Sequence, residues 1–143
     1  MRRRVSLLEQ LRLVPLFEKL SDLELARVAR LARRIRVPAA ELLVKEGEPG
    51  HEFLIVLAGE VEVLRGDRVI ATFGPGAYVG EVALLDDLPR RTATVVATMA
   101  STIAFIGRRE FTLLLSELPQ VAQQIHEALD QRRRADTELE NEL

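Results

Sequence analysis

Between Ile35 and Ile106 the sequence is a succession of short segments rich in β-branched and aliphatic residues: RIRV, ELLVKE, EFLIVLAG, EVEVLR, RVIATFG, TATVVAT and TIAFI. Turn formers separate them at Pro38, Gly47-Glu48-Pro49-Gly50, Gly59, Gly66-Asp67 and Gly74-Pro75-Gly76. Regular short strands with turn signals at this spacing indicate a sandwich or barrel, because each strand must find partners and bury one face. Arg65-Gly66-Asp67-Arg68, set between two alternating strands, is a tight hairpin.

The flanks have a different period. Ser6-Leu-Leu-Glu9 and Ser21-Asp-Leu-Glu24 both have the S-x-x-E form, in which serine and glutamate satisfy reciprocal free amides at a helix start. Leu7, Leu11 and Val14 mark one apolar stripe, ended by Pro15; Leu25, Val28, Ala29 and Ala32 mark the next, which must stop before Pro38. After Gly107 the period is helical again. Phe111, Leu114 and Leu115 belong to one helix, Leu118-Pro119 breaks it, and Val121, Ile125, Ala128 and Leu129 stripe the next. The expected architecture is one α+β domain over residues 1–143. Its helices occupy about 6–33, a β-roll about 35–107 and C-terminal helices about 108–135, with an acidic tail, 136–143, that frays.

Composition narrows the function. With 143 residues, 48% of them hydrophobic, the chain is long enough for one real core. No apolar run approaches the ~20 residues of a membrane helix, and no secretory h-region follows Met1, so a soluble, cytoplasmic protein is expected. A net charge of -2 argues against direct nucleic-acid binding. Eighteen of the twenty positive residues are arginine, dispersed along the chain, which lowers the weight of any single one. There is no cysteine, which excludes disulfides, thiolate metal sites and cysteine nucleophiles.

The stretch that local structure alone does not explain is YVGEVALLDDLPRRTATVVA, residues 78–97. Gly80-Glu81-Val82-Ala83-Leu84-Leu85 reads as a strand ending in a turn that opens a short helix, whose first free amides form an anion site. An arginine alongside, Arg90 or Arg91, would complete a phosphate cradle with charge-assisted hydrogen bonds. A carboxylate there repels phosphate, so Glu81 makes sense only opposite a neutral donor such as a ribose hydroxyl. Phosphate and sugar side by side suggest a nucleotide.

The passage resembles the phosphate-binding cassette of cyclic-nucleotide-binding domains, the family of bacterial catabolite activators, protein kinase A regulatory subunits and cyclic-nucleotide-gated channels. Gly80-Glu81-Val82-Ala83-Leu84-Leu85 and Arg91-Thr92-Ala93-Thr94-Val95 match its two halves, and VKEGEPGHEFLIVLAGEVEV is similar to the family's early strands. The resemblance implies a jelly-roll, or double-stranded β-helix, flanked by N-terminal helices and C-terminal hinge and lid helices. It implies that Glu81 accepts from the ribose 2'-hydroxyl and Arg91 pairs with the cyclic phosphate. Amides around Val82, Ala83 and Thr92, with the Thr92 hydroxyl, complete the cradle, and Gly80 lets the sugar approach the main chain. Val63, Ile70, Tyr78 and Val79 are candidates for the apolar wall, and Leu129, Arg132 or Arg133 for a lid over the base. The expected ligand is cAMP, or cGMP, with no metal and no other cofactor.

Alternation favours Arg91 over Arg90, since Arg91 shares its parity with Ala93 and Val95 while Arg90 should point into water; a nine-residue spacing from Glu81 would reverse the two. Each assignment has a plainer rival. Glu81 and Arg91 could form a solvated salt bridge, Thr92 and Thr94 could be ordinary strand residues, and Tyr78 could be roll packing. His51 and His126 read as surface residues, and Arg132-Arg133-Arg134 as a solvated helix end.

The leading function is a regulatory sensor without chemistry, passing its signal to an effector protein or domain outside this chain; a homodimer is compatible with the sequence. An enzyme on a metal-binding roll would need clustered ligands, and the two histidines lie far apart. The other alternative is a jelly-roll that keeps the fold as a non-binding interaction module. An intact Glu81 and Arg91 argue against that, because a carboxylate buried beside an arginine has no reason to persist in a pocket without ligand.

Overall fold

The structure is a computed structural model that describes residues 5–80, 91 and 93–142, except for the side chains of 132, 133 and 135–142. Two serines start the first two helices. Ser6 caps α1 (Leu7–Arg12) by accepting from the Glu9 N–H, and Ser21 with Glu24 forms the reciprocal capping box of α2 (Asp22–Leu31). Both satisfy amides that have no partner within the helix. Between them Pro15 opens a single 3-10 turn, Pro15–Phe17.

Eight strands are described: β1 (Ala32–Val37), β2 (Leu42–Val44), β3 (Glu52–Ala58), β4 (Val61–Arg65), β5 (Arg68–Phe73), β6 (Tyr78–Val79), β7 (Thr94–Ala97) and β8 (Ser101–Gly107). They form two antiparallel four-stranded sheets, β1-β8-β3-β6 and β2-β7-β4-β5. The first helical span ends at Leu31 rather than at the expected 33, because Ala32 and Arg33 pair with Ile106 and Phe105 of β8. Ala32, expected on the helical stripe, still packs against the helical core, but from a strand. The β4–β5 hairpin turns at Gly66-Asp67, closed by the Arg65↔Arg68 pair, and Gly66 takes φ 62° as the first central residue of a II′ turn does.

The two sheets enclose one core, and the helices cover the outer face of the first sheet to make a second. Alternation along β3 feeds both. Leu54 and Val56 point between the sheets with Val61, Val63, Val95 and Ala97, while Phe53 and Ile55 point at the helices. β8 does the same, with Ile103 and Phe105 inward and Ala104 and Ile106 outward. Burial on both faces explains why FLIV and IAFI read as continuous apolar runs and not as alternation.

After Gly107 come α3 (Arg108–Glu117) and α4 (Pro119–Glu142), with Leu118 at the break and Pro119 as the first helical residue, a position that wastes no N–H. Phe111 inserts against Phe53 with ring centroids 4.8 Å apart, and Leu114, Leu118, Val121 and Ile125 join Phe17, Leu25 and Val28 in the helical core. α4 runs on to Glu142, through the acidic stretch. This α+β jelly-roll, with helices before and after the roll in sequence, matches the expected fold class.

Candidate ligand-binding site

β6 ends at Val79 with its side chain between the sheets, and Gly80 follows with φ +99°, a conformation that L side chains rarely adopt. A Cβ on Gly80 would stand 2.6 Å from Arg91 Nη1 and 2.9 Å from the Glu52 carbonyl. The space that glycine leaves open on that side is therefore taken by the arginine.

Arg91 comes just before β7 and is 8% exposed, one of only two polar residues in the buried set of the described chain. Its Nη2 donates to the Glu52 carbonyl at 2.5 Å and its Nη1 to the Gly80 carbonyl at 3.3 Å. Its backbone is fixed as well: the Arg91 N–H donates to Glu48 O at 2.7 Å, and the Gly47 N–H donates to Arg91 O at 2.9 Å. β7 begins only at Thr94, yet Arg91 already pairs with the Gly47-Glu48 turn. Arg91 is buried, and Ala93 and Val95, of the same parity, pack in the inter-sheet core. Thr94, on the other parity, accepts from the Glu46 N–H at 3.0 Å, as a structural residue would.

Three of the four wall candidates gather in the inter-sheet core: Val63, Val79 and the partly buried Ile70. Val63 faces Val95 across the β4–β7 ladder. Ile70 is the extra residue of a bulge, because Leu64 pairs with Val69 and Val63 with Ala71; a bulge re-aims a side chain in this way. Tyr78 is a correction. It packs against Phe53, with centroids 5.5 Å apart, in the helical core on the opposite face of the sheet from Val79. Neighbouring strand residues point to opposite faces, so Tyr78 and Val79 cannot line one wall.

Leu129 is buried at 4% exposure on α4. Glu81, Val82, Ala83, Arg90 and Thr92 lie outside the described residues, as do the Arg132 and Arg133 side chains. His51 and His126 are exposed, and among the described residues no group of three His, Cys, Asp or Glu could hold a metal ion.

Residues 34–117 match the family model for the cyclic nucleotide-binding domain. The chain belongs to the cyclic nucleotide-binding domain family. A cyclic nucleotide-gated potassium channel of Mesorhizobium japonicum is 35% identical over 122 residues, or 85% of this chain and 34% of the channel. A cAMP-dependent protein kinase regulatory subunit of Emericella nidulans is 37% identical over 110 residues, 76% of this chain and 26% of the subunit. The structure of cAMP-bound PfPKA-R superposes with a TM-score of 0.84 at 26% identity, covering 93% of this domain and 46% of that chain. The domain thus spans about a third or less of the curated relatives it matches.

What sequence reasoning missed in this cyclic nucleotide-binding domain is the support behind Arg91. The Gly47-Glu48-Pro49-Gly50 stretch was legible as a turn, but its pairing with a residue more than forty positions later leaves no local signal. The same holds for Arg108, whose Nη2 donates to Gly50 O at 2.5 Å.

Proposed function

We propose that this domain is a regulatory sensor that binds a cyclic purine nucleotide, cAMP at least as well as cGMP, and performs no chemistry of its own. The observation that carries the reading is the buried Arg91 guanidinium, which donates to the Glu52 and Gly80 carbonyls at the edge of an apolar sheet interior. A buried fork of N–H donors at that position fits phosphate oxygens. Glu81 accepts from the ribose 2'-hydroxyl. The amides around Val82, Ala83 and Thr92, with the Thr92 hydroxyl, complete the cradle, and Val63, Ile70 and Val79 face the apolar parts of the ligand. Leu129 on α4, with Arg132 or Arg133, closes over the base. Ligand that prefers the closed arrangement shifts the population toward it. The signal then goes to an effector outside this chain, in the cytoplasm.

The test is thermal melting with cAMP, cGMP and linear 5'-AMP. A ligand bound only to the native state stabilises it by RT ln(1 + [L]/Kd), about 2.7 kcal/mol at a hundred times Kd. Cyclic nucleotides should raise Tm and 5'-AMP should do far less; equal shifts would rule out the pocket described. Glu81→Gln should weaken cAMP much more than 2'-deoxy-cAMP, and equal losses would make Glu81 a structural residue.

A further inference from the structure

We propose that Arg108 is a positioning residue for Arg91, and that the chain from Gly47 to Glu52 is a strap through which the start of α3 holds the arginine in place. The importance of Arg91 rests on the function proposed above; the strap itself does not.

The strap is held from both sides. On one side Arg91 takes the Glu48 carbonyl with its N–H and the Glu52 carbonyl with Nη2, while Gly47 donates back to Arg91 O. On the other, Arg108 takes the His51 carbonyl with its N–H at 2.9 Å and the Gly50 carbonyl with Nη2 at 2.5 Å. Four carbonyls, those of Glu48, Gly50, His51 and Glu52, are thus divided between two arginines. Gly50 is buried, so its carbonyl needs a protein donor, and leaving such a group unmet is costly.

Helix physics does not account for Arg108. It is the first residue of α3, where the macrodipole favours anions and disfavours cations. The Gly107 N-cap contributes no side-chain hydrogen bond. An arginine at that position works against the helix dipole and in favour of the strap. The Arg108 N–H is one of the helix's orphan donors and would otherwise need water. Because the strap is short and bonded at both ends, it cannot shift at Gly50 without shifting the acceptors of Arg91. The guanidinium of Arg108 therefore acts on nucleotide binding without touching nucleotide.

Arg108→Met keeps side-chain length and removes the donor; Arg108→Lys keeps charge and one donor. Amide hydrogen exchange of the ligand-free protein is measured at Gly47 and Arg91, with Ile55 in β3 as an internal reference, followed by calorimetric titration with cAMP. In Arg108→Met, exchange at Gly47 and Arg91 should accelerate relative to Ile55. Affinity for cAMP should fall about fivefold or more, the lower end of ordinary coupling, and Arg108→Lys should recover part of both. Wild-type protection at Gly47 and Arg91 in Arg108→Met would overturn the proposal, and so would a uniform loss of protection that includes Ile55. Should Arg108→Met fail to fold, the same comparison in Arg108→Lys decides, with wild-type exchange at both amides counting against the strap. If the wild-type protein binds no cyclic nucleotide, the proposed function fails, while the exchange arm still decides whether Arg108 holds the strap.

Discussion

Replacing Arg91 by alanine separates binding from folding. In the ligand-free fold the guanidinium is 8% exposed and donates to the carbonyls of Glu52 and Gly80. Removing it leaves those acceptors short of a donor, at about 1–3 kcal/mol for a buried group. Part of this is offset because a desolvated charge is removed too. The backbone bonds from Arg91 to Gly47 and Glu48 survive the substitution, so folding should lose no more than about 2 kcal/mol, within the ordinary range for point mutants. Binding should lose far more. Truncating one partner of a buried, hydrogen-bonded charge pair costs roughly 2–5 kcal/mol, a rise in Kd of about thirtyfold to several thousandfold at 1.4 kcal/mol per decade. Arg91→Lys should recover only part of this, since one ammonium cannot replace a fork that serves two carbonyls and, on the proposed function, a phosphate. Arg90→Ala should stay within about 1 kcal/mol of wild type if Arg91 is the phosphate ligand. Calorimetric titration with cAMP, paired with denaturant unfolding, reads both quantities. A Kd for Arg91→Ala within threefold of wild type would refute the phosphate role, and a large loss confined to Arg90→Ala would move the register by one residue.

Three further outcomes follow from the same geometry. Gly80→Ala forces a side chain into φ +99° with its Cβ 2.6 Å from Arg91 Nη1; unfolding should show a loss of about 1–3 kcal/mol, with weaker cAMP binding in calorimetry, and unchanged affinity would mean the guanidinium position is immaterial. Phe111→Ala empties a fully packed site beside Phe53 and should cost about 3–5 kcal/mol in denaturant unfolding; a loss below about 1.5 kcal/mol would mean α3 is not anchored there. The Glu24 carboxyl is held below the usual carboxylate range, first by the Ser21 backbone N–H, then by the Ser21 side chain and Gln120. A lowered folded-state pKa gives stability that is present above the unfolded value and lost as pH falls through the folded one, so the stability gap between wild type and Glu24→Gln should be open at neutral pH and close on acidification, and a pH-independent gap would contradict it.

The roll was legible because its signals are local. Alternation along residues 61–65, the two-residue turn at Gly66-Asp67 and the doubly buried FLIV run each carry their own period. Ala32 was misplaced because its pairing with Ile106 lies far off in the chain, and a ladder can override a helical stripe at its last position. The length of α4 was understated for a different reason. The tail has few apolar residues, but Asp130, Arg134 and Glu138 recur at four-residue spacing, where opposite charges support a helix without a core. Tyr78 could have been excluded from the sequence itself, since the parity that turns Arg91 inward also separates Tyr78 from Val79. Parity gives a side chain its face, but only relative to a register that something must fix. For Arg91 that fixed point is the reciprocal backbone pairing with Gly47 and Glu48. A slip of one residue there would change the face that Arg91 takes, so the unremarkable turn at 47–50 is part of what keeps Arg91 buried.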